Sequence, residues 1–192
     1  LKYNATEDTM NIVILNGNPD PKQKDLDRYI KSLGADLTSR GHTFQSFQLR
    51  DLDIRQCIGC WSCWIKTPGL CAQRDDMPQI YKAVMAADLV IFSSPVIMGF
   101  MSALLKRANE RFIPLIHPYI ALVEGECHHR GRYDRYPAIG ILLHRGSDTD
   151  DEDIAIITDI YRRVAVNFRT TLRCAFTTDR PTSEVSHAIA DL

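Results

Sequence analysis

Met10–Asp25 reads MNIVILNGNPDPKQKD, and the fold turns on this stretch. Met10–Asn16 is a near-continuous apolar run that stops at Gly17. A strand buried on both faces has this pattern, whereas a half-exposed strand alternates. Beyond Gly17 the chain carries two prolines and two lysines, and then the period changes. Leu26, Tyr29, Ile30, Leu33 and Leu37 recur at helical spacing, and Gly41 closes that helix. A buried strand, a short polar loop and an amphipathic helix make the first half of a βαβ unit.

The same alternation continues along the chain. Phe44–Leu49 reads as a second strand, with Phe44 out of phase with Phe47 and Leu49. Asp75-Asp76 precedes a helix carrying Ile80, Ala83, Val84 and Ala87, where acidic side chains suit the positive end of the helix dipole. Leu89–Phe92 is a third buried strand, expected to stop at Ser93-Ser94-Pro95. Met101–Phe112 is predicted helical, ending before Pro114. Ala138–Leu143 is a fourth strand, and Ile154, Ile157, Tyr161, Val164 and Phe168 mark another helix. Leu172–Phe176 is a fifth strand, and Ser183–Leu192 a last helix. Strands alternating with helices imply parallel pairing, because parallel strands need crossover connections. The fold class is therefore α/β: a doubly wound, five-stranded parallel sheet with helices on both faces, in a single domain over residues 10–192. Ligands of such sheets bind beyond the carboxyl ends of the strands, near the switch in strand order. Gly17–Asp25, Ser93–Phe100 and His144–Asp150 all follow strand ends there. Ile113–Pro137 is longer than an ordinary connection, which marks it as functional, partly structured or interfacial.

Composition narrows the function. The chain of 192 residues carries 23 basic and 24 acidic side chains, a net charge of -1. No basic face argues for nucleic acid or an anionic membrane. No apolar run approaches the roughly 20 residues of a membrane span, and no charged start precedes an apolar core. A cytoplasmic location is expected, with Leu1–Thr9 as a tail or expression remnant before a natural start at Met10. Six cysteines in a reducing compartment are more often metal ligands or redox groups than staples.

Four of those cysteines, Cys57, Cys60, Cys63 and Cys71, are spaced C-x2-C-x2-C-x7-C. Bacterial iron–sulfur sites supply three thiolates as C-x2-C-x2-C. Zinc also takes four thiolates, usually as two separated C-x2-C pairs. Two disulfides, or four plain thiols in a turn-rich loop, are the remaining readings. The first loop, Asn16–Asp25, opens directly into a helix. Backbone N–H groups and the dipole at a helix start form an anion site, to which Lys22 and Lys24 add charge. The competing reading of that loop is a Pro-rich strand-to-helix turn with solvated lysines. Ser94–Gly99 (SPVIMG) is uncharged and partly apolar, able to lie flat against an aromatic ring system or simply to close the core at a strand end. Cys127-His128-His129 sits in the long loop as a metal or redox candidate, or as solvated polar residues. Asp148, Asp150, Asp151, Glu152 and Asp153 lack EF-hand spacing and read as helix N-terminal charge. Cys174 reads as a core thiol. No triad or acid–base pair stands out, so no catalytic residue is named.

These residues carry a resemblance. The sequence resembles the flavodoxin-like NAD(P)H-dependent FMN reductase superfamily, and within it the iron–sulfur flavoproteins. The matching features are NGNPDPKQK at Asn16–Lys24, the cysteine run CIGCWSCWIKTPGLC at Cys57–Cys71, DDM at Asp75–Met77, and SPVIMG at Ser94–Gly99 with Lys106 downstream. The resemblance implies that Gly17, Asn18, Pro19, Asp20, Lys22 and Lys24 cradle the phosphate of FMN. It implies that Ser94, Pro95, Val96, Ile97, Met98 and Gly99 meet the flavin ring. It further implies that Cys57, Cys60, Cys63 and Cys71 hold a [4Fe-4S] cluster, with NAD(P)H as reductant. The expected activity moves electrons between NAD(P)H or a reduced carrier and an acceptor. A homo-oligomer, dimer or tetramer, and a redox partner protein are the expected associations. Lys24 and Asp25 stand where the family usually has hydroxyl side chains, and Glu110-Arg111 where it has Asp-Arg. The competing class is a non-enzymatic thiol- or zinc-binding module on the same fold, because fold does not fix function.

Overall fold

The computed structural model describes residues 9–192, so the expected tail, apart from Thr9, lies outside the described residues. The elements follow as β1 (Asn11–Asn16), α1 (Asp25–Ser39), β2 (Thr43–Gln48), α2 (Ser62–Ile65), α3 (Met77–Ala86) and β3 (Leu89–Ile97). Then come β4 (Phe100–Met101), α4 (Ala103–Glu110), β5 (Ile116–Val123), β6 (Glu126–Gly131), β7 (Ala138–His144), α5 (Asp151–Asn167), β8 (Leu172–Thr177) and α6 (Thr182–Ala190). The main sheet is ordered β2-β1-β3-β7-β8, with every pair along that path parallel. The expected five-stranded, doubly wound sheet is present. Strand order reverses between β1 and β3, which is where such sheets bind ligands.

Apolar alternation builds the two layers. Ile12 and Ile14 face α1 and α6, where they pack with Leu26, Ile30, Leu33, Leu37, Val185 and Ile189. Val13 and Leu15 face the opposite side, with Phe92, Ile80, Leu105 and Ile157. All four β1 side chains are at most 1% exposed, and each such burial stabilises by roughly 1.5–3 kcal/mol. Phe44 and Phe47 are out of phase because they serve opposite layers. Phe44 lies over Gly34, where a Cβ would come within 2.3 Å of the ring. Among the described residues, no helix is long and apolar enough to cross a membrane.

Two local expectations are corrected, and the partly structured reading of Ile113–Pro137 is given a form. β3 does not stop at Ser93-Ser94-Pro95 but runs to Ile97. Gly17 N–H donates to the Ser93 carbonyl at 2.8 Å, and pairing of β1 with β3 ends at Asn16 and Ser93. Pro95, two residues on, directs its missing N–H to the side that β1 has left, so no ladder bond is lost. The helix expected from Met101 starts at Ala103, because Met101 pairs back onto Val96 and Ser102 caps α4 by accepting from Leu105 N–H. The long connection Ile113–Pro137 is largely an antiparallel hairpin, β5–β6. The acidic run is a cap, as read: Asp150 and Asp153 form a capping box at the start of α5. Cys174 is buried in β8, and burial pushes its thiol up to about 12.

Candidate functional site

A cleft of about 310 Å³ opens at the carboxyl ends of β1, β3 and β7. Asn18, Pro19, Asp20, Gln23, Asp25 and Leu26 form one wall, Pro95, Val96 and Ile97 a second, and His144, Arg145 and Gly146 a third. Parallel strands place these three loops on one edge, so the cleft follows from topology rather than from any single motif.

The first wall is a tightly wired loop. Asn18 is 3% exposed. Its N–H donates to Asn16 Oδ1 at 2.9 Å, its Nδ2 to the Gln23 carbonyl at 2.6 Å, and its Oδ1 accepts from Asp20 N–H at 3.1 Å. Beneath it sits Asp27, which accepts from Asn16 Nδ2 at 2.8 Å, Asn18 Nδ2 at 3.1 Å and Arg50 Nη2 at 2.8 Å. Burial would raise the Asp27 pKa, but the bonds from Arg50, Asn16 and Asn18 outweigh it and hold the carboxyl at about 2. Arg50 also donates to the Asn18 carbonyl at 3.2 Å. At the start of α1, Lys24 makes no side-chain cap. The first-turn N–H groups of that helix therefore have no intrahelical acceptor. Asp25, which also lines the cleft, pairs with Arg28, and both side chains are exposed.

The second wall is the end of β3 folded back on β4. Met98 and Gly99 form its two-residue turn, with φ of 51° and 74°. Positive φ at both central positions defines the hairpin turn that matches strand twist. A Cβ at Gly99 would lie 2.6 Å from Asp153 Oδ1 and would displace that carboxylate, while the positive φ itself favours glycine. Met98 is 90% exposed at the rim. Gly17 is needed for close approach: a Cβ there would sit 2.5 Å from Leu105 Cβ. That contact fixes the first loop against α4. Ser94 Oγ accepts from Ser102 N–H at 2.8 Å, so the second wall is tied to the same point. In the third wall His144 Nδ1 lies 2.8 Å from Thr178 Oγ1, and Arg145 pairs with Asp151 and Asp179 at 2.6 and 3.1 Å.

The cysteine run forms a separate structure beside the hairpin. Its arms lie together: Asp53 N–H donates to Asp76 Oδ2 at 2.8 Å, Arg55 N–H to Asp75 Oδ2 at 3.0 Å, and Gln73 Nε2 to the Gln56 carbonyl at 3.2 Å. Between the arms, Cys57, Cys60, Cys63 and Cys71 line one small pocket with Ile58, Gly59, Trp61, Gln73 and Ile113. All four thiols are free. Burial raises the Cys63 pKa, and Cys71, Cys57 and Cys60 raise it further, as neighbouring thiolates must. Ser62, through its hydroxyl and backbone, holds the exposed Cys60 thiol below the usual range. Among the described residues, no three His, Cys, Asp or Glu side chains converge closely enough to hold a single metal ion. Trp64 anchors the loop by donating to the carbonyls of Ile113 and Ile116 at 3.1 and 2.9 Å. It stacks on Trp61 at 4.9 Å and tilts against His129 at 5.1 Å. Cys127, His128 and His129 are thus strand residues of β6, with His128 buried and Cys127 exposed.

Of the residues expected around a flavin, Asn18, Pro19, Asp20, Pro95, Val96 and Ile97 line the cleft. Gly17 and Ser94 lie just behind it as buried braces, Lys22 and Lys24 are exposed beside it, and Met98 and Gly99 form the rim turn. Gln23, Leu26, His144, Arg145 and Gly146 also line it without having been expected individually, and Asp25 lines it as the departure from the family's hydroxyl. The third loop was recognised as a strand-end loop, but its residue types carry no distinctive pattern. Arg50, Asp27 and Ser102 carried no local signal at all, because each acts across a gap in sequence.

The profile of the NADPH-dependent FMN reductase family matches residues 10–128. An iron–sulfur flavoprotein of Methanocaldococcus jannaschii is 33% identical over 106 residues, 55% of this chain and 53% of that protein. An iron–sulfur flavoprotein of Methanosarcina thermophila is 28% identical over 113 residues, 59% of this chain and 58% of that protein. These matches therefore span little more than half the length of either relative. Among solved structures, an NAD(P)H:quinone oxidoreductase from Methanothermobacter marburgensis superposes with a TM-score of 0.60 at 18% identity, covering 95% of this chain and 92% of that one. That likeness concerns the fold.

Proposed function

The chain belongs to the NADPH-dependent FMN reductase family, and from that membership we propose that it is an FMN-dependent oxidoreductase. It would move electrons between NAD(P)H or a reduced carrier and an acceptor, with a [4Fe-4S] cluster on Cys57, Cys60, Cys63 and Cys71. One observation carries the flavin reading: the cleft at the switch point is bordered by an uncapped helix start. The free N–H groups of α1 fit a phosphate, and Lys22 and Lys24 stand beside them. Pro95, Val96 and Ile97 offer an uncharged wall for a flat ring. Bound FMN accepts a hydride and gives up single electrons, chemistry that belongs to the cofactor. The chain's own part is to fix the phosphate loop through Asn18, Asp27 and Arg50, and to hold the ring wall through Ser94 and Ser102.

Four thiols around a single pocket support a shared bound group, and the C-x2-C-x2-C run is the spacing that supplies three cluster thiolates, whereas zinc usually takes two separated C-x2-C pairs. Ile58, Trp61 and Ile113 give the pocket an apolar lining, of which Ile58 and Trp61 are open to solvent in the single chain.

Anaerobic purification followed by a visible spectrum and NAD(P)H oxidation tests the proposal. Flavin bands bleached by NAD(P)H are the expected result. A colourless protein with no flavin affinity would return the thiol- or zinc-binding module. Within the flavin reading, FMN should bind much more tightly than riboflavin. Changing both Lys22 and Lys24 to Ala should weaken FMN more at low salt than at high salt, since salt already screens exposed charges. Equal affinity for the two flavins would remove the phosphate from the start of α1.

We also propose a homo-oligomer, dimer or tetramer. Ile58, Trp61, Ile65 and Leu70 of the cysteine loop, and Tyr119, Ile120 and Leu122 of the hairpin, are all exposed. Apolar exposure of this kind marks contact surface. Light scattering at micromolar concentration with FMN saturated should give a mass above one chain; a single-chain mass throughout rules the assembly out.

A further inference from the structure

A buried ion pair spans the neck of the cysteine loop, away from the flavin cleft. Arg111, at the end of α4, is 1% exposed, and the side chains of Arg111 and Asp75 are 1% and 0% exposed. Arg111 Nη1 donates to Asp75 Oδ2 and, at 2.6 Å, to the Arg55 carbonyl. Arg111 Nη2 donates to Asp75 Oδ1 at 3.2 Å. Asp75 in turn accepts from Arg55 N–H at 3.0 Å and Met77 N–H at 3.2 Å. One guanidinium therefore touches both arms of the loop. Arg55 precedes Cys57 by two positions, and Asp75 follows Cys71 by four.

Stability alone does not account for the pair, because an apolar pair of similar volume is often as good or better in a core. Geometry accounts for it: a planar fork bonds two groups at once where a lysine could not. The fork is also incompletely used. Arg111 Nε is buried and has no acceptor among the described residues, and a buried donor is costly to leave unmade. Burial would pull the Arg111 pKa down, but Asp75, Tyr81 and Cys71 raise it above its ordinary value.

Resting on the four-cysteine reading above, we propose that Arg111 and Asp75 form a clasp that positions Cys57, Cys60, Cys63 and Cys71, and that the balance of their two charges sets the electron affinity of the group those cysteines bind. Neither residue lines the cysteine pocket; both are positioning residues. Removing the Asp75 charge would leave a lone cation near the site, which favours the reduced, more negative form of any cluster there.

The test uses the full chain loaded with FMN, as wild type, Arg111→Lys and Asp75→Asn. FMN content and amide protection of β1 report folding. Before iron is added, amide exchange over residues 53–76 should quicken in Arg111→Lys by on the order of tenfold or more, because the neck opens locally. After anaerobic reconstitution, Arg111→Lys should retain less iron than wild type at equal FMN. Asp75→Asn is close in size but gives up one of two accepting oxygens, so its exchange over residues 53–76 is read beside its cluster potential, which should rise while its flavin potential stays put. That shift separates charge tuning from a merely structural role. Unchanged exchange over 53–76 in both variants would overturn the clasp, and an unmoved or lowered cluster potential in Asp75→Asn would overturn the charge balance. Should Arg111→Lys fail to bind FMN, Asp75→Asn carries the exchange comparison alone. A wild type that takes up no iron defeats the cluster and the charge balance with it, while the exchange measurement still decides the clasp.

Discussion

Cys60→Ala is expected to leave FMN bound and to strip the protein of its cluster iron. The two sites share no lining residue: the flavin cleft uses the loops after β1, β3 and β7, and the cysteine pocket uses residues 57–73 with Ile113. Cys60 is exposed, so its truncation opens no core cavity and the fold should be unaffected. Its chemistry is what is lost. Ser62 favours the Cys60 thiolate, and the thiolate is the form that ligates. A C-x2-C-x2-C run short of its middle thiol leaves one iron of a four-cysteine cube without a protein thiolate, on a loop open to solvent, and the cube is expected to be lost. Reconstitution with iron and sulfide should give about four of each per wild-type chain and near none in the variant, with FMN at parity. A variant with full iron would take Cys60 out of the ligand set. A wild type with FMN and no iron would leave a plain flavoprotein with reactive thiols.

The sheet was readable because parallel strands buried on both faces need continuous apolar runs, and MNIVILN, LVIF and AIGILL are such runs. The end of β3 was not, because proline usually stops a strand; only the pairing shows that Pro95 faces a side already vacated by β1. The hairpin β5–β6 escaped for a related reason. Tyr119, Ile120 and Leu122 are exposed together, which breaks the in–out alternation that would announce a strand. Site loops were found by position after strands, and the residues that wire them were not. Arg50 meets Asp27 across 23 positions, and Arg111 meets Asp75 across 36. Asp75 and Arg111 stand in motifs of their own, but a single basic residue carries no periodicity, so nothing local says which distant acid it meets.

Asp27→Asn should cost both stability and flavin affinity, and the loss should depend on pH. Asp27 takes bonds from Asn16, Asn18 and Arg50 at once, with its side chain 19% exposed. An asparagine offers one acceptor oxygen, and its amide hydrogens would point at donors already aimed there. The carboxyl titrates at about 2 in the folded chain against 3.8 as the ordinary value, a difference that corresponds to about 2 kcal/mol. The sign follows from the depressed folded value. The stabilisation is fully present above the unfolded value of 3.8 and is lost as pH falls towards about 2. In urea titrations at neutral pH the variant should therefore be less stable by about 2 kcal/mol, and the gap should close as acid protonates the wild-type carboxyl. Flavin affinity should fall with it, because Asn18 lines the cleft and loses one of its anchors. A gap that stayed constant from neutral pH down to the acid limit would show that Asp27 acts through shape and not through charge. A variant of equal stability that still bound FMN as tightly would remove the Asp27 network from the site altogether.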